Sequence, residues 1–195
     1  METQVLFAGF GGQGVLLMGQ LLCKAAMHED LEVSWMPSYG PEMRGGEANC
    51  GVVVADEPIG SPLVTEPDVA VLMNRPSLDK FESTVAPGGA LLYNSSLIDR
   101  APKREDIRVV AVPCNEIASE LGNARVANMV MLGAYNALTK QRPGGAGSGA
   151  VPNWMALRPI SLESLVYALR ATLGKEKERL IPINQKAMEA GARCV

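Results

Sequence analysis

The stretch that decides the fold is QVLFAGFGGQGVLLMGQLLCKAAM, residues 4–27. Its first five residues, 4–8, are typical of a short buried strand, and the apolar side chains spread through 15–27 predict a helix. Strand, turn and helix follow in the order of a phosphate-binding first βα unit. The turn fits the pattern G-x-G-x-x-G, and its candidate ligand-binding residues are Gly9, Gly11, Gly12 and Gly14.

A glycine turn of this kind exposes unpaired N–H groups at a helix N-terminus, where the helix dipole favours an anion. Dinucleotide-binding folds also place Asp or Glu at the end of the second strand, where it holds the ribose hydroxyls. Here the second strand, predicted over 31–36, ends in Trp35, Met36 and Pro37. The missing acid argues against NAD, so the turn serves a different anion or only close packing of helix on strand. A stand-alone dinucleotide-binding oxidoreductase or sensor is kept as the alternative function.

The second candidate site is the segment SYGPEMRGG, residues 38–46, which shows neither a helical nor a strand period. Its proline fixes φ and lacks a donor, while its glycines allow positive φ and the close approach of another surface. We expect a shaped loop that presents a guanidinium, which suits a phosphate or a carboxylate. The plainer interpretation is a turn between two strands with a solvated arginine. The candidate ligand-binding residues here are Tyr39, Gly40, Arg44, Gly45 and Gly46.

Strands and helices alternate along the rest of the chain. Apolar runs predict strands at 48–55, 68–73, 90–93 and 107–112, with helices at 77–85, 114–121 and 124–140. This alternation predicts an α/β fold with a doubly wound, mostly parallel, Rossmann-like sheet and helices on both faces. The helix at 124–140 carries small residues that permit close packing against another helix.

The chain is expected to form one α/β unit over residues 1–140, followed by a flexible linker and a C-terminal helical segment. Glycine and proline dominate the linker, predicted over 141–153. Residues 154–195 hold two helix candidates, and we assign them to the same domain.

Composition excludes several classes of function. A net charge of −3 without a basic cluster, and only 5% aromatic residues, argue against nucleic acid as a partner. No apolar run approaches the roughly twenty residues of a membrane span, and no signal peptide is recognised, so we expect a cytoplasmic protein.

Side chains that could carry out chemistry are few. The only histidine, His28, falls at the end of the first helix, and no G-x-S-x-G, H-E-x-x-H or Walker lysine occurs. Asp68 is either an acid–base group or a turn residue. No metal site is expected from the spacing of the four cysteines, which are Cys23, Cys50, Cys114 and Cys194. A ligand-binding scaffold without catalytic residues indicates a subunit of a larger enzyme.

Taken together, these motifs resemble the gamma subunit of 2-oxoacid:ferredoxin oxidoreductases, the family that acts on pyruvate, 2-oxoglutarate and 2-oxoisovalerate. The segment SYGPEMRGG is the specific part of the resemblance, which extends over nearly the whole chain. The other matching segments are GFGGQGV at 9–15, Asn49-Cys50, Ser61-Pro62, residues 74–80, 87–89 and 123–133, and the late Asn184, Ala187 and Gly191.

The resemblance implies a role in converting a 2-oxoacid and coenzyme A to acyl-CoA and CO2, with ferredoxin as electron acceptor. Thiamine diphosphate and iron–sulfur clusters then belong to partner subunits, an alpha, a beta and possibly a ferredoxin-like one. The gamma subunit packs against them and helps to form the coenzyme A site, where we expect Arg44 to face an anionic group. A purely structural partner, whose glycine turn serves only packing, is the third possibility.

Overall fold

The computed structural model describes residues 1–40, 45–141 and 158–195. The strands are β1 (Glu2–Phe10), β2 (Glu32–Tyr39), β3 (Glu47–Ala55), β4 (Val69–Leu72), β5 (Ala90–Asn94) and β6 (Arg108–Val112). The helices are α1 (Val15–His28), α2 (Arg75–Phe81), α3 (Cys114–Glu120), α4 (Ala127–Leu138), α5 (Leu162–Leu173) and α6 (Ile181–Ala192). Short 3-10 turns cover Glu82–Thr84, Ala124–Val126 and Lys175–Leu180.

The described strands form one six-stranded sheet in the order β2-β3-β1-β4-β5-β6. The pairs β1–β4, β4–β5 and β5–β6 are parallel, whereas β3 is antiparallel to both β1 and β2. The α/β fold with a mostly parallel sheet is therefore confirmed, with one inverted strand that the alternating pattern did not predict.

The short connection between β2 and β3 explains the inversion. Strand β2 runs to Tyr39, three residues beyond its predicted end at Met36, and β3 begins at Glu47. The seven residues between them are too few for a parallel crossover, which needs a dozen or more. The two strands must therefore form a hairpin, and β3 takes the place beside β1 that β2 occupies in a dinucleotide-binding sheet.

Helices cover the two faces of the sheet unequally. The larger core, on the face of Val5 and Phe7, is completed by side chains of α1, α3, α4, α5 and α6. On the opposite face, a smaller core gathers around Leu72 and Leu91 beneath Leu78 of α2. No helix among the described residues combines the length and the apolar character needed to cross a bilayer.

The C-terminal helices share the larger core, where α6 crosses α4 at two glycines. A Cβ built on Gly133 would lie 1.9 Å from the carbonyl oxygen of Met188, and one on Gly191 would lie 1.8 Å from that of Val130. The two backbones thus touch, as the small residues of α4 predicted. The predicted linker over 141–153 lies outside the described residues except for Gln141, so the division of the chain at 140 stays a prediction.

Adding one methyl group at this crossing should be costly. In Gly191→Ala, the new Cβ meets backbone rather than a movable side chain, so α4 and α6 must separate. We expect the free energy of unfolding to fall by about 3 kcal/mol, as in severe overpacking. Urea unfolding followed by circular dichroism measures the change.

Gly60→Ala is the matched control, because a Cβ at Gly60 meets no atom of the described residues within 4 Å. This variant should stay within about 0.5 kcal/mol of the parent. Equal stability of the two variants would contradict the close crossing of the helices.

Candidate functional site

Backbone hydrogen bonds join the glycine turn to the β2–β3 loop. The amide of Gly11 donates to the carbonyl of Gly46 at 2.8 Å, and the amide of Gly45 donates to that of Gly11 at 3.4 Å. The amide of Gly40 donates to the carbonyl of Glu47 at 2.7 Å and closes the loop at its base. The two motifs that the sequence marked separately therefore form one surface at the carboxyl end of β1.

A cleft of about 570 Å³ opens where these motifs meet. Two aromatic residues form part of its wall and remain open to solvent: Tyr39 is 51% exposed and Phe10 is 36% exposed. The predicted site residues Gly11, Gly12, Gly14 and Tyr39 all line it, and Val15, Leu16 and Ala48 add apolar surface.

The other predicted site residues that the structure describes fall around this cleft rather than in it. Gly40, Gly45 and Gly46 adjoin it through the hydrogen bonds of the loop. Gly9 lies beneath the turn, where a Cβ would come within 2.9 Å of Val15 Cγ1 and 3.0 Å of Met73 Cβ. Gly9 thus serves close helix–strand packing, and its contact with a ligand stays a prediction. Arg44 lies outside the described residues.

The first turn of α1 supplies the electrostatics of the cleft. Its N-cap residue, Gly14, adopts φ 76° and provides no side-chain acceptor for the N–H groups behind it. The first turn also carries no acidic residue. First-turn amides without a partner among the described residues, and the positive end of a 14-residue helix, make this edge favourable to an anion. With apolar walls beside it, the cleft suits a ligand that has both an anionic group and an apolar part.

Gln13 holds the glycine turn in place, a role that the sequence did not reveal. Its side-chain oxygen accepts from the amide of Phe10 at 2.7 Å and from Asn74 Nδ2 at 3.2 Å. Its side-chain nitrogen donates to the carbonyl of Met73 at 3.3 Å. Asn74 in turn caps α2 by accepting from the amide of Ser77. The side-chain amide of Gln13 thereby links the end of β1 to the end of β4.

A charge pair borders the loop on the strand side. Lys80 Nζ lies 2.5 Å from Glu47 Oε1, and Asn49 Nδ2 donates to the same oxygen at 3.4 Å. Glu47 opposes Phe10 in the β1–β3 register, so its carboxylate stands at the edge of the sheet where the glycine turn begins. This pairing leaves no local signal in the sequence, because Lys80 is 33 residues from Glu47.

Two residues considered for chemistry lie away from the cleft. Asp68 precedes β4 at the amino end of the strand, accepts from the amide of Gln4 at 2.8 Å, and has its pKa raised by burial. It is therefore on the sheet edge opposite the cleft. His28 closes α1 and stacks on Tyr167 with ring centroids 3.9 Å apart.

The cysteines are packed as thiols. All four are free, and burial raises the pKa of Cys23 and of Cys50 to about 12, so neither is a thiolate at neutral pH. Among the described residues, no group of three or more His, Cys, Asp or Glu side chains could hold a metal ion.

Comparison with known proteins decides the family. Residues 4–194 match the family described as pyruvate ferredoxin/flavodoxin oxidoreductase. The chain belongs to this family. The resemblance inferred from the glycine turn and the SYGPEMRGG segment is thereby confirmed.

A similar curated relative is the ketoisovalerate oxidoreductase subunit VorA of Methanothermobacter marburgensis, 44% identical over 191 residues. The match covers 98% of this chain but 36% of VorA, so the chain spans about a third of the length of that relative.

Two similar solved structures also differ from each other in length. The gamma subunit of a keto/oxoacid ferredoxin oxidoreductase from Geobacter sulfurreducens is 26% identical, with a TM-score of 0.75, and the match covers 98% of this chain and 96% of that one. The 2-oxoglutarate:ferredoxin oxidoreductase of Magnetococcus marinus, solved with 2-oxoglutarate, coenzyme A and succinyl-CoA bound, is 25% identical, with a TM-score of 0.82. That match covers 99% of this chain and 31% of the other.

The role of Gln13 can be tested by truncation. Gln13→Ala removes the acceptor of the Phe10 amide and leaves the Asn74 amide without that partner, so we expect the free energy of unfolding to fall by about 2 kcal/mol. The amide proton of Phe10 should also exchange faster with solvent. Urea unfolding and NMR-detected exchange measure the two effects.

Gln20→Ala on α1 is the control, because no hydrogen bond of the Gln20 side chain occurs among the described residues. Unchanged exchange at Phe10 in the Gln13 variant would show that the turn holds its shape without this side chain.

Proposed function

We propose that this chain is the gamma subunit, or the gamma-type domain of a longer polypeptide, of a heteromeric 2-oxoacid:ferredoxin oxidoreductase. In that complex a 2-oxoacid and coenzyme A give acyl-CoA and CO2. The observation that carries the proposal is the shared cleft of the glycine turn and the β2–β3 loop in a chain of this family. The relative and the structures named above are subunits or complexes of such enzymes.

The chain's part in the reaction is to bind and orient rather than to transform. The described residues that line the cleft are glycines, aliphatic side chains and the two rings of Phe10 and Tyr39. None of these described residues carries a carboxylate, imidazole, thiol or amine. Thiamine diphosphate and iron–sulfur clusters, held by alpha, beta and ferredoxin-like partner subunits, supply the carbanion chemistry and the electron path to ferredoxin.

Coenzyme A fits the chemistry of the cleft in two respects. Its phosphates suit the uncapped N-terminus of α1 behind Gly14, and its pantetheine arm suits the apolar wall formed by Val15 and Leu16. We propose that Tyr39 packs against the ligand and that Arg44 pairs with one of its anionic groups. The Magnetococcus marinus enzyme, whose structure resembles this chain, was solved with coenzyme A bound.

For the partners and the substrate, we propose only the chemical or protein class. The named relatives act on several 2-oxoacids, so we propose a 2-oxoacid and assign the selection of its side chain to the thiamine-binding subunits. We place the complex in the cytoplasm, because all four cysteines are free, as expected in a reducing compartment.

One observation favours the alternative, a stand-alone dinucleotide-binding protein. Glu47 stands beside the end of β1, close to where a ribose-binding acid is expected. Its carboxylate is already paired with Lys80 and Asn49. Titration with NADH separates the two functions: no saturable binding is expected, and micromolar binding lost in Glu47→Gln would favour the alternative.

Assembly is the first test of the proposed function. When the protein is purified from its native cells, we expect it to bring thiamine- and cluster-binding polypeptides with it, or to carry them in the same polypeptide. The complex should form acyl-CoA from a 2-oxoacid and reduce ferredoxin, whereas residues 1–195 expressed alone should show no turnover. Decarboxylation by the isolated chain would contradict the proposal.

The assignment of Arg44 is tested in the assembled enzyme. Arg44→Ala should raise the KM for coenzyme A at least tenfold, as expected for loss of a charged hydrogen bond, and leave thiamine diphosphate binding unchanged. Arg179→Ala, an exposed arginine beyond α5, is the matched control and should leave the KM as it is. An unchanged KM for coenzyme A in Arg44→Ala would remove this residue from the site.

A further inference from the structure

A second, smaller cleft lies on the β4 side of β1, whereas the cleft described above lies on its β3 side. It has a volume of about 190 Å³ and occupies the carboxyl edge of the sheet, next to the end of β4. The chain leaves β1 towards β2 and leaves β4 towards β5, so the connections diverge between these strands. Open α/β sheets bind ligands at such a switch point.

The polar groups of this cleft come from three distant parts of the chain. Gln13 belongs to the glycine turn, Asn115 to the start of α3, Arg125 to the 3-10 turn before α4, and Asn128 to the first turn of α4. No carboxylate is among the described residues that line the cleft. Arg125 takes part in no ion pair among the described residues. The arginines that do are Arg75, Arg100, Arg104, Arg158 and Arg170.

Asn115 is held in a fixed orientation. Its side-chain oxygen accepts from Nδ2 of the fully buried Asn94 at 2.8 Å, so its own nitrogen is left as the available donor. The side-chain oxygen of Asn94 accepts from the amide of Cys114 at 3.2 Å, which fixes the pair to the start of α3. A prepositioned amide donor and a guanidinium together favour an oxyanion.

Asn128 adds an acceptor to the same cleft. The residue is only 7% exposed, and the hydrogen bond that its side chain forms is a long one, from Nδ2 to the carbonyl of Gly14 at 3.5 Å. No donor to its side-chain oxygen occurs among the described residues. A hydrogen-bond acceptor beside an oxyanion site matches a ligand that carries a hydroxyl next to its phosphate.

We propose that this second cleft binds a phosphorylated sugar, with the phosphate monoester against Arg125 and Asn115 and a sugar hydroxyl against Asn128. The volume accommodates one such group and not a whole dinucleotide. The phosphate monoester can come from a free sugar phosphate or from the 3′-phosphoribose of coenzyme A.

The test is a calorimetric titration of the purified full protein with ribose 5-phosphate, which should bind saturably. Arg125→Gln and Asn115→Asp should each weaken binding at least tenfold. Asn115→Asp keeps the acceptor for Asn94 and replaces the donor by a negative charge. Arg108→Gln is the matched control, because Arg108 is exposed at the amino end of β6, on the opposite edge of the sheet.

A second arm separates the two sources by comparing coenzyme A with dephospho-coenzyme A. If the 3′-phosphate is the ligand, coenzyme A binds more tightly to the parent protein and this advantage disappears in Arg125→Gln. If a free sugar phosphate is the ligand, the two coenzymes bind equally while ribose 5-phosphate still requires Arg125.

Absence of ribose 5-phosphate binding in the parent protein, or binding that survives both substitutions, overturns the proposal. Because this titration needs no turnover, its failure leaves the proposed function to be decided by the assembly experiment.

Discussion

The antiparallel pairing of β3 with β1 is the constraint on which the candidate site depends. The pairing runs from Glu2 opposite Ala55 to Phe10 opposite Glu47. Both the glycine turn and the β2–β3 loop are thereby brought to one edge of the sheet, where the amide of Gly11 donates to the carbonyl of Gly46. Because β3 lies next to β1, the end of the loop, at Gly45 and Gly46, is the part that contacts the turn.

Glycine serves two different purposes around this edge. At Gly9 and Gly14 a side chain would collide with neighbouring groups, so these positions allow α1 and α4 to approach the strand ends. At Gly12 and Gly45 a Cβ would meet no atom of the described residues within 4 Å, and the backbone takes φ values of 102° and 75° that other residues rarely adopt. The first pair determines packing, and the second determines the shape of the surface offered to a ligand.

Local sequence patterns were sufficient to predict the strands and helices, but not the full arrangement of the strands in the sheet. Periodic apolar residues, separated by glycines, mark the first βα unit, the later strands and the close-packing helix α4 in the sequence. The inversion of β3 was missed, because a run such as Val52-Val53-Val54 looks the same in a parallel and an antiparallel strand. Only the short loop before it carried that information.

The partners of the site could not be read from the sequence, because they are distant in the chain. Gln13 bonds to Asn74, 61 residues later, and Asn128 reaches Gly14 across 114 residues. Such contacts arise from tertiary packing and leave no local period. The sequence therefore located the glycine turn and the loop, while the polar groups behind them became visible only in the fold.

Hydrogen–deuterium exchange of the assembled complex, with and without coenzyme A, tests the central claim most directly. If the glycine turn and the β2–β3 loop form one coenzyme-binding wall, peptides that cover Gly9–Gly14 and Ser38–Gly46 should gain protection together when coenzyme A is added. Protection confined to the partner subunits, with both segments unchanged, would contradict the account.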